Sequence, residues 1–297
     1  MYPAPFNYHR ANSVDEAIGM LSDIGEGARV LAGGQSLLPL LKMRFDEPTD
    51  IVDIGRIPDL DQIEENDDGV RIGALTTHRR IAASALAGVV PIIRDCANGI
   101  ADNQVRSRGT IGGSVASGDP SCDWPALLHT LDAEIQCRGP NGTRTLDING
   151  FVEDLYQTVL QPGEIVTGIR FKTPASGSGG AYCAFKRSAP AYPTISVGVQ
   201  MTVSDGQVES ARVALGSAGL TPIRAKQAET ELEGRSAGAD QIDKAADAAV
   251  AASDPVDDQR GSADFKRQLV AHLTKRAIGI AERRASGEQV YNSHEYY

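Results

Sequence analysis

The opening of the chain switches between two hydrophobic periods. Val14, Ala17, Ile18 and Leu21 share one face of a 3.6-residue repeat, and Ser13-Val14-Asp15-Glu16 supplies a capping box at its head. This predicts an amphipathic helix, closed by Gly25 and Gly27. Residues 28–32 then read as a short buried strand, Leu37-Leu38-Pro39-Leu40-Leu41-Lys42-Met43 as a short helix, and Asp50-Ile51-Val52-Asp53 as a second buried strand. Strand–helix–strand alternation with short links implies a small parallel sheet of the βαβ kind.

The pattern then becomes that of hairpins. Residues 60–65 and 70–74 flank Asn66-Asp67-Asp68-Gly69, and 133–138 and 143–147 flank Gly139-Pro140-Asn141-Gly142. Between them lie helical stretches at 77–86 and 89–97 and a helix from near Asp123, with Pro125 tolerated in its first turn. Residues 164–171 form a further strand. Ser176-Gly177-Ser178-Gly179-Gly180 reads as a linker and places a domain boundary there. Beyond it, 195–203 and 207–215 bracket Ser204-Asp205-Gly206 as an antiparallel pair, followed by helices at 225–233, 241–252 and 263–285. The expected fold class is α+β. A first domain, 1–176, has two parts: a small βαβ-type parallel sheet at 1–56 and a larger mixed sheet with helices at 57–176. A second domain, 177–297, is an antiparallel sheet with helices.

A chain of 297 residues suits two or three such units. Its net charge of −10 argues against a nucleic-acid or anionic-membrane surface. The prolines at the start do not form a leader, and no apolar run approaches a membrane span, so a cytoplasmic chain is expected. Cys96, Cys122, Cys137 and Cys183 are scattered without a C-x-x-C, and the five histidines form no H-E-x-x-H. No zinc or iron–sulfur site is expected from this chain alone, and a redox group, if present, is organic.

Two glycine pairs carry the candidate chemistry. Val30-Leu31-Ala32-Gly33-Gly34-Gln35-Ser36-Leu37 and Arg108-Gly109-Thr110-Ile111-Gly112-Gly113-Ser114 each offer a Cβ-free segment that can turn successive amides into one concavity, a receptor for phosphate. Neither matches G-x-G-x-x-G or G-x-x-x-x-G-K-[ST]. Together they point to a diphosphate clamped from two sides; singly, each is also an ordinary turn. A polar, glycine-punctuated excursion surrounds the second pair, with Asp102-Asn103-Gln104-Val105-Arg106 before it and Ser117-Gly118-Asp119-Pro120-Ser121-Cys122-Asp123-Trp124-Pro125 after it, a length that in a compact domain is usually functional. Asp123 caps the following helix, meets a ligand hydroxyl, or does both. Cys122 has no histidine placed to activate it. Lys186-Arg187 reads as a solvated charge pair on a strand, and Tyr192 as an exposed turn aromatic unless it faces a planar ligand.

As an ensemble these segments resemble the FAD-binding medium subunits of the molybdenum hydroxylases, the xanthine dehydrogenase and aerobic carbon monoxide dehydrogenase family. The likeness is greatest to the carbon monoxide dehydrogenase medium subunit. It is carried by Ala32-Gly33-Gly34-Gln35-Ser36-Leu37-Leu38-Pro39, Ile100-Ala101-Asp102, Gly109-Thr110-Ile111-Gly112-Gly113-Ser114, Gly118-Asp119-Pro120, Asp123, Pro125-Ala126-Leu127 and Lys186-Arg187, and runs from Phe6 to the stretch Arg260-Gly261-Ser262 and the final helix. The resemblance implies FAD, with the amides of Gly33, Gly34, Gln35, Ser36 and Leu37 cradling the pyrophosphate, Gly112, Gly113 and Ser114 approaching from the other side, and Ala32 and Ile111 among the binding residues. It implies Thr110, Ser117 and Asp123 at ribose or ribityl atoms, Ile165 in the binding set, Lys186 at the pyrimidine edge and Tyr192 stacked on the isoalloxazine. Gln35 stands where many relatives have His, and Ser114 where many have Asn. No residue of this chain is expected to be catalytic or to bind metal.

By the same resemblance the 2Fe–2S clusters lie on a small partner subunit and the molybdopterin cytosine dinucleotide on a large one, commonly as a dimer of heterotrimers. Electrons pass through FAD to a quinone or other acceptor, and any association with the inner face of the membrane is made through partners. The competing expectations are the same role in an aldehyde or N-heterocycle hydroxylase, a self-contained FAD oxidoreductase, and a non-catalytic nucleotide-binding or assembly protein.

Overall fold

The computed structural model describes residues 2–296. Its first unit comprises β1 (Asn7–Arg10), α1 (Val14–Ile24), β2 (Ala28–Leu31), α2 (Leu37–Met43) and β3 (Asp50–Asp53). The sheet order is β1-β3-β2 and both pairings are parallel, so β3 is central. Ser13 Oγ accepts the Glu16 amide at 3.1 Å, while the Glu16 carboxylate returns to the Asn12 amide at 2.7 Å, one residue earlier than a standard capping box. Ala17, Ile18 and Leu21 pack with Val52 and Ile54. Strand β1 escapes the hydrophobic pattern because it is an edge strand whose residues are mostly exposed.

The second unit follows as β4 (Ile63–Asn66), β5 (Gly69–Gly73), α3 (His78–Ala82), α4 (Leu86–Val89), α5 (Pro91–Gly99), α6 (Asn103–Arg106), α7 (Ile111–Ala116), α8 (Asp123–Thr130), β6 (Glu134–Gly139), β7 (Gly142–Asp147), β8 (Val152–Asp154), β9 (Gln157–Thr158) and β10 (Ile165–Phe171). Both expected hairpins form, with Asn66 paired to Gly69 and Gly139 to Gly142. The five strands run β4-β5-β10-β6-β7. Three expectations need correction. The helix expected at 77–86 is two, α3 and α4, with Ser84 between them donating to the Ile81 carbonyl at 2.6 Å and accepting the Ala87 amide at 3.4 Å. The helix expected at 89–97 starts at Pro91, which suits a first turn but not an interior. The polar excursion is also not one loop, since α6 and α7 lie within it.

The third unit contains β11 (Ser178–Lys186), β12 (Pro193–Ser204), β13 (Gln207–Gly216), β14 (Ile223–Arg224), α9 (Lys226–Leu232), α10 (Ala239–Ala252), α11 (Ala263–Ala285) and β15 (Glu295–Tyr296), with sheet order β14-β13-β12-β11-β15. Strand alternation places Ala181 and Cys183 in a core with α11, and Tyr182 and Ala184 in the core of the second unit. The sheet is thus buried on both faces. Ser178, Gly179 and Gly180 of the glycine run are strand residues, and a Cβ on Gly179 would lie 2.0 Å from the Ala281 carbonyl oxygen. Here glycine admits the close approach of α11. Between the third unit and the second, the Arg284 guanidinium of α11 holds Asp95 of α5 at 2.6 and 3.0 Å, with both side chains buried.

Candidate functional site

The two glycine segments meet. A Cβ on Gly33 would lie 2.1 Å from the Arg108 carbonyl oxygen and 2.9 Å from the Gly109 Cα, so no other residue lets the segments touch. Gly34 adopts φ +74, the left-handed region that favours glycine. Ser36 then precedes α2 in helical conformation and makes no side-chain cap. Among the described residues, none accepts a hydrogen bond from the amides of Gly33, Gly34, Gln35, Ser36 or Leu37. Leu38 begins the helical bonding, donating to the Gly34 carbonyl at 3.1 Å. A run of unpartnered amides at a helix start carries partial positive charge and suits an anion.

The second segment differs. Thr110 caps α7, its hydroxyl accepting from the Gly113 amide at 3.3 Å and its carbonyl from the Ser114 amide at 3.0 Å. The Ile111 amide donates to Thr76 at 3.1 Å and the Gly112 amide to Ala74 at 2.9 Å. All four amides therefore have protein partners, and the segment offers the cleft a wall rather than donors. Its two glycines also divide. Gly112 is buried against Ala74, where a Cβ would come within 2.5 Å, whereas Gly113 is exposed. Beneath them the His78 amide donates to the Gly109 carbonyl at 3.1 Å, and His78 Nδ1 accepts from the Trp124 indole at 3.0 Å. Burial, with Arg106 nearby, holds the His78 imidazole down at about 4, so it is neutral.

The segment after α7 turns at Gly118, φ +60, whose carbonyl accepts the Tyr156 amide at 2.9 Å. Ser117 Oγ donates to the Ser114 carbonyl at 2.8 Å and lies 3.6 Å from Cys122 Sγ. Burial, and then Asp119, pushes the Cys122 thiol up to about 12, which keeps it protonated and unsuited to nucleophilic work. Asp123 is not the cap of α8: Cys122 takes that position and Asp123 is the first helical residue. Its buried carboxylate accepts from the Tyr182 hydroxyl at 3.1 Å and lies 3.8 Å from Lys186 Nζ. Burial raises the Asp123 carboxyl above the ordinary range while Lys186 pulls it down.

Lys186 corrects the solvated-pair expectation. It is 0% exposed, and its ammonium donates to the Gly99 carbonyl at 2.6 Å. A buried ammonium is stable only with such partners, and here they are a carbonyl and a carboxylate. Tyr192, in contrast, is 41% exposed, immediately before β12. Its hydroxyl neighbours Ser36, and the Arg260 guanidinium carbon lies 5.9 Å from its ring centroid. Asp119, Cys122 and Tyr156 are its further electrostatic neighbours.

The contacts thus join Gly33 to Arg108 and Gly109, Ser36 to Tyr192, and Ser114 and Ser117 through Cys122 to Tyr192, while Asp123 and Lys186 are buried. Ile165 lies in the N-terminal core with Leu60 and Leu75. Tyr182, Gly99 and Arg260 are partners that the sequence pattern does not single out; only the place of Arg260 in a quoted stretch signals it. Among the described residues no group of three His, Cys, Asp or Glu could hold a metal, and no helix is long and apolar enough to cross a membrane.

Residues 4–174 match the family of the FAD binding domain in molybdopterin dehydrogenase, and residues 180–281 match the CO dehydrogenase flavoprotein C-terminal domain. The chain is 39% identical over 282 residues to the carbon monoxide dehydrogenase medium chain of Hydrogenophaga pseudoflava, covering 95% of this chain and 98% of that one. It is 33% identical over 272 residues to the nicotine 6-hydroxylase medium subunit of Paenarthrobacter nicotinovorans, covering 91% and 95%. Among solved structures, a carbon monoxide dehydrogenase from Hydrogenophaga pseudoflava superposes with a TM-score of 0.93 at 41% identity, over 96% of this chain and 99% of that one.

Proposed function

We propose that this chain, which belongs to the family of FAD-binding subunits of the molybdopterin dehydrogenases, is the electron-relay subunit of a three-subunit molybdenum hydroxylase. It passes electrons from the 2Fe–2S clusters of a small partner, through FAD, to a quinone or other acceptor, while a large molybdopterin subunit oxidises the substrate. The observation that carries the reading is the run of five unpartnered amides from Gly33 to Leu37 at the start of α2. Bound FAD supplies a carrier that exchanges electrons singly or in pairs.

The residues divide the work of holding it. The amides of Gly33 to Leu37 bind the pyrophosphate, and the exposed Gly113 with Ser114 closes on it from the other side. Ser117 and Thr110 border the sugar, and the free face of Tyr192 covers the ring. Lys186, being wholly buried, acts from beneath through Asp123 rather than by direct contact. We place the domain boundary at residues 176–177. Carbon monoxide is favoured as substrate of the complex, since identity to the carbon monoxide dehydrogenase chain exceeds that to the nicotine hydroxylase subunit.

The test is the purified complex. FAD, iron and molybdenum should co-purify with the wild-type chain. Gly34→Val with Gly113→Val should lose FAD while iron and molybdenum remain; retention of FAD by that variant would make the glycines turn residues only.

A further inference from the structure

We propose that Arg260 is a positioning residue that fixes the Tyr192 ring in the orientation the flavin requires. The inference rests on the reading that Tyr192 packs against bound FAD. Arg260 stands at the tip of a tight turn in which the Asp258 and Gly261 amides and carbonyls bond reciprocally at 3.1 Å. The Asp258 carboxylate accepts the Arg260 amide at 2.7 Å and pairs with Lys266 Nζ at 2.8 Å. Lys266 is itself buried and donates to the Val256 carbonyl at 2.8 Å. The next residue after the turn, Ser262, caps α11. The tip is therefore braced on the start of the longest helix.

From this tip the guanidinium reaches two other segments. Nη1 donates to Ser121 Oγ at 2.9 Å and approaches the Pro193 carbonyl at 3.4 Å, with the Tyr192 ring 5.9 Å away. Ser121 belongs to the turn before α8, its amide held by Asp119 at 2.9 Å, while Pro193 opens β12 and Tyr192 immediately precedes it. One cation thus ties the glycine-rich unit to the C-terminal sheet. A guanidinium over an aromatic face is attractive and orients the ring. With Arg260 on one face, Ser36 at the hydroxyl and the residue 41% exposed, the opposite face is assigned to the planar ligand. The turn, the buried lysine and the cap serve to present one side chain.

The experiment uses the full chain in the complex with which it purifies. FAD affinity and the visible circular dichroism of bound flavin are measured for wild type, Arg260→Met, Arg260→Lys, Tyr192→Ala and the double variant Arg260→Met/Tyr192→Ala. Arg260→Met should weaken FAD binding about tenfold, a loss the size of one strong orienting contact. It should also shift the dichroism toward that of Tyr192→Ala. The double variant should be no worse than Tyr192→Ala, and Arg260→Lys, which keeps a cation on the ring, should recover part of both signals. If the losses add in the double variant, or the flavin dichroism of Arg260→Met matches wild type, the inference is overturned while the Tyr192 reading stands. If Tyr192→Ala leaves the flavin dichroism unchanged, both readings fall. Arg260→Lys keeps the test decisive should Arg260→Met fold poorly.

Discussion

At Gly33–Leu37 five consecutive amides have no acceptor among the described residues, whereas at Ile111–Ser114 four amides have one each. The two segments look alike on paper: a glycine pair, a small polar residue, apolar flanks. Their glycines answer different needs. In the first, Gly34 reaches a left-handed φ and Gly33 lets the Arg108 carbonyl approach, so the backbone is free to face a ligand. In the second, Gly112 lets a helix seat itself on Ala74, and the capped helix start has no donors left over. A glycine pair thus records a close approach without saying what approaches. The clamp is asymmetric, with donors on one side and a rigid wall on the other.

The largest difference should appear in acid. The second segment sits on His78, whose buried imidazole is neutral with its pKa lowered to about 4. The unfolded chain takes up that proton near pH 6.5, so folded stability is whole above about pH 6.5 and is lost progressively as pH falls toward 4. The full shift corresponds to about 3 kcal/mol, an order-of-magnitude figure for a buried group. Urea midpoints from pH 8 to 4 should fall less for His78→Gln than for wild type. His294, depressed to about 3 by burial and then by Lys186 and Arg276, adds a parallel loss that His78→Gln leaves in place. Equal slopes for the two proteins would show that the His78 imidazole does not carry the acid loss.

Next comes a substitution within the pair itself. Gly112→Ala drives a methyl to 2.5 Å from Ala74 Cβ and 2.8 Å from its backbone, and should cost about 2 kcal/mol through overpacking. Gly113→Ala meets only Thr110 Oγ1 at 2.9 Å on an exposed surface and should cost well under half of that. Denaturant melts of the two variants check the order; a reversed order would mean that the packed glycine is Gly113.

How far the sequence revealed this follows from what each feature depends on. Periodicity found α1, β3 and the three C-terminal helices, because each buries one face against its neighbours, while turn residues marked both hairpins. It missed β1, an edge strand, and α7, whose glycines hide a helix that exists only because Thr110 caps it and Ala74 receives it. The resemblance supplied the residues of the cleft but not their state. That Lys186 is wholly buried depends on Gly99 and Asp123, which are far from it in sequence and near only in the fold. Spacing cannot encode such a meeting, nor the choice of which glycine segment keeps its amides free.

The smallest effect separates the two helix starts most cleanly. Thr110 and Ser36 occupy the same position before α7 and α2, but Thr110 Oγ1 accepts the Gly113 amide at 3.3 Å and Ser36 makes no cap bond. Thr110→Ala should therefore lower stability by about 1 kcal/mol, the usual worth of a cap. Ser36→Ala removes no such bond and should leave the melt within about 0.5 kcal/mol of wild type, as surface changes do. The order inverts for FAD. Ser36 lies beside the Tyr192 hydroxyl at the mouth of the free amides, so Ser36→Ala should weaken FAD binding severalfold, while Thr110→Ala should change it less. Stability without affinity at one helix start, and affinity without stability at the other, is what an asymmetric clamp requires. If both variants moved both quantities together, the two segments would be doing the same job.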